Sequence, residues 1–177
     1  MQKRAVFIAL AVFLSTAAFS QQDKSKRPSP PAQAECKLAD GKTIHIDYSS
    51  PRMNGRKIFG GLVPYGEVWR TGANEATTLV TTADMTVGGT ALPAGTYTLF
   101  TLPTAEAWTL IISKKTGEWG IPYPGKSEDF ARVGMEVMKR PTSQENFMIS
   151  FTPKGSSCTM HLDWEMTEAS IEFSEKK

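Results

Sequence analysis

An all-β fold is predicted: a single antiparallel β-sandwich, jelly-roll-like or barrel-like, with a long irregular loop after its second strand. Three observations predict it. Short runs rich in β-branched and aromatic residues recur along the chain with turn residues between them. Apolar residues alternate with polar ones inside those runs, which is the period of a strand rather than of a helix. No helical pattern long enough to serve as a crossover separates them, so the strands pair antiparallel and pack as layers.

The elements follow in order. Cys36 to Leu38 and Thr43 to Tyr48 flank a turn at Ala39-Asp40-Gly41. A two-residue Asp-Gly turn sets Cys36 opposite His45. A three-residue loop ending in Gly41 sets it opposite Ile44. A one-residue slip exchanges the faces of a strand, so the apolar pattern decides. The longer loop puts Cys36, Leu38, Ile44 and Ile46 on one face and is preferred, with Gly41 in the left-handed position. Ala76 to Thr82 is a Thr-rich strand. Met85 to Val87 runs into a Gly88-Gly89 hairpin, and Leu92 to Gly95 turns into Thr96 to Leu102. Trp108 to Ser113 follows. Ala131 to Met138, Phe147 to Phe151, Cys158 to Trp164 and Ile171 to Phe173 complete the pattern. Ile58 to Leu62 and Ser127 to Phe130 are weak helical candidates.

The ends set the compartment. Lys3 and Arg4 precede an apolar run from Ala5 to Phe19, and Ala18-Phe19-Ser20 offers small residues where a signal peptidase reads. Residues 1–20 are therefore read as a secretory signal peptide. The run is too short for a convincing membrane span. Residues 21–34 are polar and Pro-rich and read as a flexible leader. Residues 35–177 form the domain. Of 20 Lys and Arg, two leave with the signal, which balances the rest against 18 Asp and Glu. A near-zero net charge argues against nucleic acid as a partner. Export implies a periplasmic or extracellular protein. In that setting the two cysteines, Cys36 and Cys158, predict a disulfide.

The stretch from Ser50 to Leu79 carries the candidate site. A long irregular insert in a small β domain is usually functional or disordered, and this one is too rich in aromatic and aliphatic residues for disorder. Trp69, Arg70, Asn74 and Glu75 fall within seven residues. An indole offers a stacking face and a guanidinium a fork for carboxylate or phosphate. With Arg52, Arg56 and Tyr65 they are expected to line a cleft for a polar ligand, such as a carbohydrate or an acidic envelope fragment. The competing reading pairs Arg70 with Glu75 and makes Trp69 a plug at one end of the sandwich. Trp119 and Tyr123, in a second loop, suit stacking on sugar rings or clamping over a core edge. His45-Ile46-Asp47 and His161-Leu162-Asp163 each place two polar side chains on one face of a strand. They could join in a metal cluster only if their strands were neighbours, and two solvated faces are the favoured reading, with no metal or cofactor expected.

The chain has no Gly-x-Ser-x-Gly elbow, no His-Glu-x-x-His helix and no phosphate-binding Gly loop before a helix. A carboxylate pair for glycoside hydrolysis stays open, because Asp47, Glu75, Glu118 and Asp163 are present. The expected function is a non-catalytic, exported binding protein. An envelope hydrolase using a carboxylate pair and a structural or partner-binding module are the alternatives.

Ile46-Asp47-Tyr48-Ser49, Gly55 to Gly66, Val68 to Thr77, Leu92 to Phe100 and Trp119-Gly120 together resemble an exported bacterial family known as domain of unknown function 2911. The resemblance covers nearly the whole domain. It implies an all-β fold and export, and brings no activity.

Overall fold

The computed structural model describes residues Asp23–Lys176. The signal peptide read over residues 1–20 lies outside them. Nine strands form one antiparallel sheet: β1 (Pro31–Lys37), β2 (Thr43–Ser49), β3 (Thr77–Thr81), β4 (Met85–Val87), β5 (Thr90–Leu92), β6 (Gly95–Pro103), β7 (Trp108–Ser113), β8 (Asp129–Lys154) and β9 (Ser157–Glu175). Their spatial order is β1-β2-β3-β6-β7-β8-β9-β4-β5. The fold is all-β as expected, with an open sheet folded into a sandwich rather than closed into a barrel.

The fold-over is made by the β8–β9 hairpin. β8 first pairs with β7, through Trp108↔Met135, and then with β9, from Glu136↔Ser170 to Lys154↔Ser157. Two register shifts, between Lys139 and Gln144 and between Gln144 and Met148, bend it. Bulges sharpen twist and re-aim a strand in this way. The far half of the hairpin thereby reaches β1 and β2. The Ile149 N–H donates to Tyr48 Oη at 3.1 Å, and Cys36 is disulfide-bonded to Cys158 across 122 residues. Alternation suggested four segments where β8 and β9 are continuous, because a bulged strand loses its period of two without ending.

The first hairpin has the predicted register, Cys36↔Ile44, and Lys42 O accepts from the Leu38 N–H at 2.8 Å. Its inward side chains, Cys36, Leu38, Ile44 and Ile46, are all buried. They meet Leu79, Leu99, Leu110 and Ile112 in a core closed from the far side by Phe147, Met160, Leu162 and Trp164. β1 begins at Pro31, so the last four residues of the segment read as leader belong to the sheet. Proline is tolerated there because β1 is an edge strand. Ile58 to Leu62 is a tight turn, with Gly60 at φ +73°, rather than a helix. Lys126–Glu128 forms one 3-10 turn where the second helical candidate was expected.

The loop between β2 and β3 is firmly seated. Ile58, Phe59 and Val63 are buried in the main core, and Phe147 N–H donates to Pro51 O at 2.9 Å. Trp69 forms a bridge with Thr101 of β6, extending the ladder begun by β3. A strand-like residue here sends alternate side chains to opposite faces. Trp69 therefore points inward, and Val68 joins a small outer cluster with Ala76, Phe100 and Ile111.

Candidate functional site

The outward face of the sheet carries a row of polar residues in register. Gln33 pairs with Asp47, Asp47 with Thr78, Thr78 with Thr98, and Thr98 with Ser113. Each is the outward member of its strand, since the inward neighbours Ala34, Ile46, Leu79 and Leu99 form the core. At the β6 and β7 end Thr98 and Ser113 are buried. At the β1 to β3 end the row lies open as the floor of a cleft of about 630 Å³ lined by Lys24, Gln33, Asp47, Ser49, Glu75 and Thr78, among others. That volume is typical of small-ligand sites.

The cleft wall is built from two segments distant in sequence. One is the end of the long loop. Thr71 and Asn74 sit at positive φ (53° and 57°), which turns the chain sharply before β3. The other is the N-terminal arm ahead of β1. Arg27 Nη1 donates to both carboxylate oxygens of Glu75, at 3.1 and 2.9 Å, and Lys24 Nζ lies 2.9 Å from Oε1. Asn74 Nδ2 donates to Ser29 O at 2.9 Å. The Lys24 ammonium is the main cause that holds the Glu75 carboxyl down at about 2, with Arg27 assisting. Glu75 is thus a fixed anion and not a proton donor at neutral pH.

Trp119 is not among the residues lining the cleft, but its neighbour Glu118 is hydrogen-bonded to one of them, Ala76. The position of Trp119 is fixed because Ala76 N–H donates to Glu118 O at 3.1 Å and Arg70 Nη1 donates to Trp119 O at 3.3 Å. Arg70 Cζ lies 5.8 Å from the Trp119 ring centroid, a cation–π arrangement. Gly120, at φ +85°, lets the segment approach this closely: a Cβ there would sit 2.9 Å from both Ala76 Cβ and Arg70 Cβ. Trp119 is 53% exposed and the adjoining Ile121 65%. Burial pushes the Arg70 pKa down, and the nearby Glu75 carboxylate partly opposes that.

The other residues picked from sequence go elsewhere. Trp69 stacks on Trp164 (centroids 5.8 Å apart, 21° between planes), meets Phe147 edge-on at 5.0 Å, and donates Nε1–H to Gly72 O at 3.0 Å. It is a core residue. Arg70 and Glu75 do not pair with each other: Arg70 lies on Trp119, and Glu75 belongs to the N-terminal arm. Arg52 donates to Ser50 O and Oγ at 2.7 and 2.8 Å. Arg56 donates to Met53 O and Arg52 O at 2.9 and 2.6 Å. Both guanidiniums tie the loop to itself. Tyr65 is exposed and lies over Gly60, outside the cleft lining. Tyr123 packs edge-on against Phe100 and bonds Asp129 and Arg132, so it clamps its loop over the outer cluster.

The two His-x-Asp triplets occupy β2 and β9, which are not neighbours. Asp47 faces His45 at 3.3 Å. His161 bridges Glu168 and Thr152, at 2.9 and 3.0 Å. Asp163 is sealed against Arg140, and burial raises its pKa. Among the described residues, no group of three His, Cys, Asp or Glu side chains is placed to hold a metal ion.

Sequence reasoning missed Lys24, Arg27, Gln33, Ser49 and Thr78. Gln33 was within reach, because the Cys36–Ile44 register puts Gln33 opposite Asp47. The arm cations were not, since they stand about fifty residues from Glu75.

The sequence matches a family described as "Protein of unknown function (DUF2911)" over residues 29–173. No curated protein and no solved structure matches the chain significantly.

Proposed function

From the premise that this chain belongs to the DUF2911 family of proteins of unknown function, we propose that it is an exported, non-catalytic protein that binds a polar ligand of the carbohydrate class in the cleft above β1, β2 and β3. One observation carries the reading. An exposed tryptophan, Trp119, follows Glu118, whose carbonyl accepts from the cleft-lining Ala76, and the cleft is floored by hydrogen-bonding side chains, Gln33, Asp47 and Thr78. A sugar presents an apolar ring face and a fringe of hydroxyls, and an indole beside amide, carboxylate and hydroxyl groups complements both.

Export is supported by the Cys36–Cys158 disulfide, since such bonds persist in oxidising compartments. No helix among the described residues is long and apolar enough to cross a membrane. The near-neutral charge leaves nucleic acid disfavoured as a partner.

A carboxylate-pair hydrolase draws on Asp47 and Glu75 lining the same cleft. It needs a carboxyl with a raised pKa as general acid. Glu75 is pushed the opposite way, so binding is the better reading. The test is oligosaccharide binding by calorimetry to the protein and to Trp119→Ala. Binding that disappears in the variant with thermal stability unchanged supports the proposal. Turnover of the bound sugar in place of simple binding overturns its non-catalytic part.

A further inference from the structure

The charged groups around the cleft carry a small excess of cations. Lys24 and Arg27 both converge on Glu75, and Arg70 lies near enough to feel the same carboxylate. Three cations thus face two acids of the cleft, Glu75 and Asp47. Asp47, the other acid of the cleft, already faces Gln33 Nε2 at 2.7 Å and His45 Nε2 at 3.3 Å. Lys115, on the Trp119 loop, pairs with Glu118 at 3.5 Å and cancels it.

Arg70 stands out among these groups. A guanidinium carries five N–H donors in a planar fork. In this structure Nη1 donates to Trp119 O, and no described carboxylate lies within ion-pair distance of Arg70. It is half-buried, and water is partly withdrawn from it. A cation in that setting gains most from an anion that can replace the lost hydration. The Trp119 ring lies against it and remains half-exposed.

Resting on the carbohydrate reading above, we infer that Arg70 and Trp119 form an anion-selecting subsite, so that the ligand is a saccharide bearing carboxylate groups. One sugar ring stacks on the open face of Trp119. Its carboxylate reaches past the ring edge to the unused edge of the Arg70 fork. Lys24 and Arg27 exceed the Glu75 carboxylate they share by one positive charge, which favours the next acidic residue of the ligand. Trp69, the aromatic that sequence alone paired with Arg70, takes no part.

The experiment is a glycan array in which each uronic-acid oligosaccharide is matched by its neutral counterpart and by a sulfated one. The protein is probed at low and at physiological salt. The expected result is retention of uronate members with at least about tenfold preference over their neutral partners, as one charge-assisted bidentate contact provides. That preference should weaken as salt rises. Arg70→Gln should abolish it and Arg70→Lys should retain part of it. Arg56→Gln, which alters an exposed cation bonded to its own loop, should change nothing. Equal or better binding of neutral members overturns the anion assignment and leaves the carbohydrate reading standing. Preference for sulfated over uronate members overturns the carboxylate assignment. Binding to none of the three sets overturns both.

Discussion

Replacing Trp69 by alanine separates a core role from a ligand role. The side chain stacks on Trp164 and meets Phe59 and Phe147 edge-on. Its Nε1–H donates to Gly72 O. Truncating a large aromatic in a core costs about 3–5 kcal/mol. Trp69 is partly buried rather than sealed, so the lower part of that range applies, about 3–4 kcal/mol with the hydrogen bond included. Each kcal/mol moves the midpoint of a domain this size by roughly 2–4 °C, which predicts a fall of about 10 °C. A thermal melt reads that fall, and in urea unfolding the midpoint concentration should drop with little change in slope. Ligand affinity measured well below the new midpoint should persist. A stability loss below about 1 kcal/mol together with lost binding would refute the packing argument.

Other perturbations have defined outcomes. Changing both Cys36 and Cys158 to serine opens a crosslink spanning 122 residues and should cost up to about 5 kcal/mol on the chain-entropy account; an unchanged calorimetric midpoint would contradict it. Glu75 has its carboxyl lowered from 4.5 to about 2. Its stabilising contribution is therefore complete above pH 4.5 and is lost as pH falls toward 2. The side chain is 41% exposed, so the effect is screened to about 1 kcal/mol. Protection factors of the amides around Asn74, corrected for the intrinsic pH dependence of exchange, should fall in that window, and Glu75→Gln should remove the pH step. Gly120→Ala places a methyl 2.9 Å from Ala76 and Arg70 at positive φ. It should displace Trp119 and weaken ligand binding, with about 1–2 kcal/mol of destabilisation; retained affinity would show that the close approach does not position the indole.

The strands were legible because their two faces differ. Alternation located β2, β3, β6 and β7 within about two residues, and the Gly41 loop fixed the register of the first hairpin. The disulfide followed from an even pair of cysteines in an exported chain. β1 starts earlier than its apolar pattern suggests: Pro31 resembles leader sequence, although an edge strand accepts it. The long loop was located, but its residues could not be assigned from composition. A tryptophan beside an arginine reads the same whether the indole faces the core or the solvent. Only the bridge between Trp69 and Thr101 sends the indole inward and brings Arg70 toward the outer surface and Trp119. The partners of Glu75 were hidden by distance along the chain, as ion pairs between remote segments leave no local pattern.

The four tryptophans allow one direct measurement. Trp69, Trp108 and Trp164 belong to the core, and Trp119 is exposed. In a heteronuclear NMR titration with the uronate oligosaccharide best retained on the array, the Trp119 indole resonance should move with saturating dependence while the other three stay in place. Movement of the Trp69 or Trp164 indole with Trp119 unchanged would contradict the proposed binding surface.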